Sequence, residues 1–440
     1  MNCDKHHTFH NWARTLSFTP DRFCQPESVQ DVVDIVTEAR KTPGRCVRIQ
    51  GAEDSHSWSQ FTVTRDVLVN LDKLNKPLIA DILKKRYTIQ AGVRIKDLVK
   101  ILAKDNLGLQ NTGTIMEQSI AGAISTGTHG TGARLGNLAT QIVGMKLVNG
   151  KGEVIELKDG DDRLKTARVN FGALGIIVEV TIQCVDNRDL EFKAYWCRLD
   201  DILDKLDAMN AENDRVRIWW FPKPLLGIPH DVILSTMNTP GTPPGVLGQF
   251  DDVTGHPGNP LQGSSLPFDI ETILKALAQL ALHPDKPVLL NRFIANYVNV
   301  LTLPAIPILH RECEYAFPVG STKDALLRIR QFMIESDFAT TLPFEFRFVA
   351  GDDTCMSPVR GRDSCYAGAN TDRNANEVFQ RFEPLMKTLD GRPHWGKHFT
   401  MTKAEIVSMY GQGYADFANL RATWDPDNVF ANSLIHDLFD

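Results

Sequence analysis

The stretch Ser119 to Ala133, SIAGAISTGTHGTGA, holds too many glycines and small hydroxyl residues to be there for packing volume. Gly122, Gly127, Gly130 and Gly132 allow positive φ and lack the Cβ that would keep a neighbour away. Ser119, Ser125, Thr126 and Thr128 add hydrogen-bonding groups, with His129 among them. This combination suits a backbone that holds a pyrophosphate and a flat ring against N–H groups; a glycine-rich turn without function is the plainer alternative. No Gly-Lys-[Ser/Thr] follows, and the run is not the Gly-x-Gly-x-x-Gly of a first strand-turn-helix unit, so a nicotinamide site has no support. The segment belongs to a longer folded loop system, Gly108 to Gly136, which also contains Gly113 and the apolar Ile115, Ile120 and Ile124.

Upstream, Ser28 can cap a helix that Asp31 answers three residues later, and Val29, Val32, Val33 and Val36 recur at helical spacing. The short β-branched runs CVRIQGA, DVLVNLD and RYTIQAG follow, then a helix over Ile95 to Leu102. Downstream, IVGMKLVNG and GEVIELK form a hairpin about Asn149 to Gly152, and FGALGIIVEVTIQCV enters a further buried strand through a glycine turn. Strands and helices alternate, so the N-terminal part is mixed α/β.

After about Asp186 the texture changes. A Gly/Pro-rich loop runs from Thr239 to Pro267, helices are predicted near Ile270 to Leu282 and Thr322 to Ser336, and strands near Glu312 to Phe317 and Leu342 to Val349. At 440 residues two domains are the natural expectation. In PFEFRFVAGDD, Glu345 and Arg347 alternate and project from one strand face, with Phe344, Phe346 and Phe348 on the other. A solvent-exposed ion pair would look the same.

A net charge of −6 without a Lys/Arg-rich block disfavours nucleic-acid and anionic-lipid partners. No apolar run approaches the ~20 residues that span a bilayer. The nearest, Val288 to Leu309, is broken by Asn291, Arg292, Asn296, Asn299 and two prolines. The eight cysteines lack metal-site spacing and no export signal is visible, so they read as free thiols, mostly buried, in a cytoplasmic protein with no metal.

The run SIAGAISTGTHGTGA is similar to the second flavin-binding loop of the vanillyl-alcohol-oxidase flavoprotein family, in its aldonolactone oxidase/dehydrogenase branch. VRIQGAEDSHSWS, Val47 to Ser59, resembles the first flavin loop, from which the resemblance implies that Gly51, Ala52, Ser55, His56 and Ser57 meet FAD and that His56 can carry it covalently. Glu53-Asp54 is an insertion relative to that pattern, and two acids near a diphosphate would repel it unless turned outward. Phe171 to Val178 is similar to the turn that meets the adenine side, implicating Gly175 and Ile177, although any glycine turn entering a buried strand would match.

The resemblance also turns Glu345 and Arg347 into a catalytic and substrate-binding pair over the flavin. His394-Trp395-Gly396-Lys397 resembles an element that brings a catalytic cation, Lys397, to the flavin pyrimidine edge, where it would stabilise the reduced anion; His394 then either serves the substrate or packs on Trp395. The closing WDPDNVFAN fits the family's ending.

The implied fold is α+β, with an FAD-binding domain at 1–185, a substrate (cap) domain on an antiparallel sheet at 186–393, and a C-terminal segment at 394–440 that returns to the FAD domain. The implied reaction is oxidation of a sugar 1,4-lactone (L-gulono-, L-galactono- or D-arabinono-) to an ascorbate-type product by hydride transfer to flavin N5, with O2, a quinone or a cytochrome as electron acceptor. An alditol (polyol) oxidase is the nearest alternative, and a flavin-binding assembly protein with little turnover is one of another class.

Overall fold

Ser28 Oγ accepts from the Asp31 amide at 3.1 Å and the Ser28 amide donates to Asp31 Oδ2 at 3.0 Å, so the helix Val29–Arg40 starts where the capping pattern predicts. Its inner face buries Val32, Ile35, Val36 and Ala39. In this computed structural model, residues 3–5, 7–52, 55–223, 229–249, 251–252, 274, 277, 286–303, 309–336 and 342–440 are described. Glu53-Asp54, nearly all of the helix expected over Ile270 to Leu282 and much of the Thr239 to Pro267 loop lie outside them.

Two larger sheets, beside two short two-stranded ones, form the first part of the chain. One has four strands in the order Cys3–Asp4, Arg22–Cys24, Val67–Asn70, Val47–Gln50, with Val67–Asn70 parallel to both of its neighbours. The other is antiparallel, in the order Val154–Leu157, Ile142–Val148, Ile176–Gln183, Arg86–Gln90, Pro77–Asp81. Ile176–Gln183 carries a period-two burial pattern over its second half, as a half-covered strand should.

A nine-stranded sheet follows, in the order Asp251–Asp252, Val288–Asn296, Asp189–Cys197, Val232–Asn238, Val216–Trp220, Phe344–Val349, Ser364–Thr371, Arg311–Pro318, Arg392–Pro393. All its pairings are antiparallel except that of Asp251–Asp252. The helices Thr322–Ser336 and Ala375–Thr388 cover one face, where Phe382 packs against Phe344 and Tyr315.

The glycine-rich run ties these sheets together. The Gly132 amide donates to the Phe348 carbonyl at 2.7 Å, the Ala350 amide donates to Leu135 at 2.9 Å, and the Thr131 hydroxyl donates to the Val216 carbonyl. The loop is thereby an added rung on the strand that carries Glu345 and Arg347. No helix among the described residues is long and apolar enough to cross a membrane.

The expectation that every cysteine is a free thiol is corrected: Cys3 and Cys24 form a disulfide. They face each other across an antiparallel pair, with Cα atoms 4.4 Å apart. They stand 21 positions apart in sequence without any local motif, so only the strand pairing reveals the bond. The other six are free, five of them buried.

Candidate active site

A cleft enclosing about 840 Å³ of space, part of it open to solvent, runs between the two loops picked out in the sequence. Of the expected cofactor residues, Gly51, Ala52, Ser55, His56, Ser57, Ser119, Gly122, Ser125, Thr126, Gly175 and Ile177 line it. Ser119 caps the short helix Ile120–Ser125 by accepting from the Gly122 amide at 3.2 Å. Gly51 is indispensable to the approach of the two loops, because a Cβ there would lie 2.3 Å from Ser119 Oγ and 3.2 Å from the Gly122 Cα. Gly113, Gly127, Thr128, His129 and Gly130 do not line this cleft; they continue the loop beyond it, where a Cβ on Gly130 would meet Asn111 Oδ1 at 2.2 Å.

Sequence reasoning passed over Arg48, which is buried in the wall of this cleft. This guanidinium is 1% exposed and donates to four carbonyls: Phe61, Phe171, Gly172 and Phe430. Its bonds hold Phe171, at a φ of 53°, and Gly172 in the left-handed turn predicted to face the adenine side. Burial pulls the Arg48 pKa down to about 10, which still leaves a full positive charge at neutral pH. A buried cation whose hydrogen bonds all go to neutral carbonyls favours an anion nearby.

His56 lies against Trp12 with ring centroids 4.4 Å apart, and its Nδ1 is buried with no hydrogen-bond partner. Burial, and then the charge of Lys397, lower its pKa to about 4, so the ring is neutral. Lys397 forms an ion pair with Glu312 and sits 4.6 Å from the centroid of the Trp58 ring. Burial opposes ionisation of Glu312, but Lys397 overrides it and holds the carboxyl below its usual range. The Gly396 carbonyl accepts from the Trp58 amide at 2.9 Å, so the C-terminal element is bonded directly to the first loop. These observations fit FAD: a narrow cradle between glycines, a buried positive charge and an orphaned imidazole nitrogen.

Beyond the glycine-rich loop lies a buried polar cluster. Arg347 Nη2 donates to Glu314 Oε1 at 2.6 Å, Arg347 Nε is 3.4 Å from Glu345 Oε2, and Trp219 Nε1 donates to Glu345 Oε1 at 3.1 Å. The side chains of Arg347 and Glu345 are 10% and 16% exposed, which rules out the solvent-exposed ion pair. His129 Nε2 is 3.3 Å from Glu314 Oε1, and its ring stacks on Tyr366 at 3.7 Å. His129 Nδ1 must carry a proton, because its partner at 2.9 Å is the Gly130 carbonyl, which can only accept.

Burial opposes a charged Glu314, yet Arg347 and then His129 hold its carboxyl well below the ordinary range. His394 borders the cluster, 5.5 Å from the His129 ring, with Nδ1 accepting from the Gly396 amide at 3.0 Å. Burial lowers its pKa to about 3. The nitrogen and oxygen donors of His129, Glu314 and His394 lie within 4.8 Å of one another, and Arg347 supplies the positive charge among them.

Sequence reasoning missed Glu314, Glu312, Trp219 and Tyr366. The signal for the two acids was their alternation in Arg311-Glu312-Cys313-Glu314-Tyr315, which places both on one face of a strand.

A family model described as D-arabinono-1,4-lactone oxidase matches residues 180–438, and one described as FAD binding domain matches residues 20–158. L-gulonolactone oxidase of Bos taurus is 30% identical over 98% of this chain and 98% of its own. L-gulono-1,4-lactone dehydrogenase of Mycobacterium tuberculosis is 31% identical over 96% of each chain, and D-arabinono-1,4-lactone oxidase of Candida glabrata is 27% identical over 98% of this chain and 97% of its own. Among solved structures, cholesterol oxidase from Brevibacterium sterolicum superposes with a TM-score of 0.75 at 16% identity, covering 98% of this chain and 96% of that one; that likeness carries the fold.

Fold and site together define an FAD-dependent oxidoreductase of the vanillyl-alcohol-oxidase type, acting on CH–OH groups. The chain belongs to the D-arabinono-1,4-lactone oxidase family, within the aldonolactone oxidoreductases.

Proposed function

We propose that this enzyme oxidises the ring carbinol of a sugar 1,4-lactone to the ketone, which tautomerises to an ascorbate-type enediol. The observation that carries the reading is the buried pairing of Glu345 with Arg347 on the strand to which the glycine-rich loop is bonded. Arg347 binds the oxygens of the lactone. Glu345, oriented by Trp219, accepts the hydroxyl proton. FAD, when bound, supplies the two-electron acceptor by taking the hydride from the same carbon at N5. Lys397 adds positive charge on the first-loop side, and His394 borders the substrate.

The proposed division of the chain at 185 and 393 is supported by the nine-stranded sheet, whose first strand in the chain begins at Asp189 and whose last ends at Pro393. Covalent attachment of FAD through His56 is supported by a neutral, buried ring in the cleft wall whose Nδ1 has no other partner. Relatives bear both oxidase and dehydrogenase names, which favours none of dioxygen, a quinone and a cytochrome as the acceptor.

The deciding experiment is an anaerobic absorbance titration of the purified holoprotein with L-gulono-, L-galactono- and D-arabinono-1,4-lactones and with open-chain alditols, followed by readmission of air. Bleaching of the flavin band by a lactone supports the reading, and recolouring in air selects dioxygen. Bleaching by alditols alone makes the enzyme a polyol oxidase; no bleaching by any of them removes the assignment.

A further inference from the structure

We propose that Glu314 is the positioning residue that fixes Arg347 and thereby leaves Glu345 free to take the substrate proton. The inference rests on the lactone-oxidising reading above.

One arginine lies between two carboxylates, and the two contacts are unequal. Arg347 gives Glu314 a hydrogen bond of 2.6 Å, whereas its Nε, 3.4 Å from Glu345, makes no hydrogen bond. Charge-assisted hydrogen bonds at the shorter distance are the strong ones.

The strand register explains how the stronger contact arises. Glu345 and Glu314 stand on the two strands flanking Ser364–Thr371, and both are in register with Gly368. Arg347 is in register with Tyr366, on the same face two residues along. Strands are about 4.8 Å apart, so Arg347 has to cross roughly 10 Å of sheet to reach Glu314. Gly368 puts no side chain in the path between them, and a Cβ there would stand at ordinary contact distance, 3.7 Å, from Glu314 Cγ and Oε1. Arg347 Nη1 also donates to the His129 carbonyl at 3.4 Å, so the guanidinium held by Glu314 is tied to the backbone of the glycine-rich loop.

In the reaction, the C–H electron pair leaves as hydride for FAD, the hydroxyl proton passes to Glu345, and the carbinol becomes a carbonyl. If Glu314 loses its charge, Arg347 turns wholly onto Glu345 and binds the carboxylate that should accept the proton. The groups facing Glu345 are Arg347 on its own strand, Arg217 and Trp219 on Val216–Trp220, Glu314 across Gly368, and His129 and Tyr366 behind Arg347. Of these, Glu314 is the one whose removal strengthens the hold of Arg347 on Glu345.

The test compares holoenzyme carrying Glu314→Gln, Glu314→Asp or Glu345→Gln with the unmodified enzyme. Anaerobic stopped-flow follows flavin reduction per bound flavin against pH, and calorimetry follows binding of a 2-deoxy lactone that has no hydroxyl to oxidise at that carbon. The expected result for Glu314→Gln is a fall of roughly a hundredfold in reduction rate, an acid limb moved to lower pH by about one unit, and binding of the deoxy lactone weakened by about tenfold. Glu314→Asp should recover part of each change. An unmoved limb, or deoxy-lactone binding at full strength, overturns the inference. Where Glu314→Gln does not hold flavin, Glu314→Asp is read the same way: a smaller shift in the same direction supports the inference and an unmoved limb overturns it. Unchanged reduction in Glu345→Gln overturns the proposed function instead, whereas loss there with no effect at Glu314 overturns the inference alone.

Discussion

Arg347 and Glu314 face each other across Gly368, from strands that are not neighbours, with nitrogen and oxygen 2.6 Å apart and both side chains almost out of contact with water. The pair spans a sheet strand where side-chain contacts ordinarily stop at the adjacent one. Burial makes it costly to break, since removing one member strands the other's charge in the interior.

Replacing Arg347 with alanine therefore has two expected effects that glutamine at Glu345 separates. Arg347→Ala loses about 3 kcal/mol of stability, because Glu314 is left unpaired, together with flavin reduction. Glu345→Gln keeps an oxygen for Trp219 and loses roughly a hundredfold in reduction while its stability stays within about 1 kcal/mol of the original. Urea unfolding and stopped-flow reduction on the same preparations check both.

Lys397→Met leaves Glu312 charged and without its strongest partner. The expected cost is about 3 kcal/mol, and the double variant Lys397→Met/Glu312→Gln should regain most of it because no stranded charge remains. Reduction should stay slow in both if the ammonium also serves the flavin. Thermal melting beside flavin reduction reads the two effects independently.

Gly51→Ala places a methyl group 2.3 Å from Ser119 Oγ and 3.2 Å from the Gly122 backbone, so the Ser119 hydroxyl has to leave its capping position or the two loops have to move apart. The purified variant should therefore hold less FAD than the original, read as the ratio of flavin to protein absorbance. A variant that retains full FAD would show that the loops part without cost.

The acid stability of the flavin-free protein should carry a histidine signature. Burial, the main cause, sets the folded pKa of His56 to about 4 and that of His394 to about 3, against an ordinary value of 6.5. The unfolded chain therefore takes up protons first, so stability is intact above pH 6.5 and falls as the pH drops toward 4. His56→Gln should flatten the slope of melting temperature against pH in that window; an unchanged slope would mean that the ring is more solvated than the geometry shows.

The capped helix, the short N-terminal strands and the glycine-rich loop were legible because each depends on local chemistry: a capping pair, a β-branched run, a glycine that must lack a side chain; the order of the strands within the sheets was not. Glu345 and Arg347 could be placed on one face, but not assigned partners, since pairing across Gly368 is a matter of register between strands far apart in sequence. Glu314 looked like an ordinary strand carboxylate for the same reason. The sequence assigns Arg48 no role, because only its four carbonyl contacts, made to residues distant along the chain, reveal a clamp. The Cys3–Cys24 bond was hidden likewise.

That clamp also sets a schedule. Arg48 is closed from one side by the carbonyl of Phe430, which is 382 residues further along, and the Val47 amide donates to the neighbouring Val429. Domains generally fold as they emerge during synthesis, N-terminal parts first, but here the clamp under the cofactor cleft waits for a carbonyl made 382 residues after Arg48. A nascent chain stalled after the glycine-rich loop would display both halves of the cradle and still lack three of the four carbonyls that close around Arg48, those of Phe171, Gly172 and Phe430.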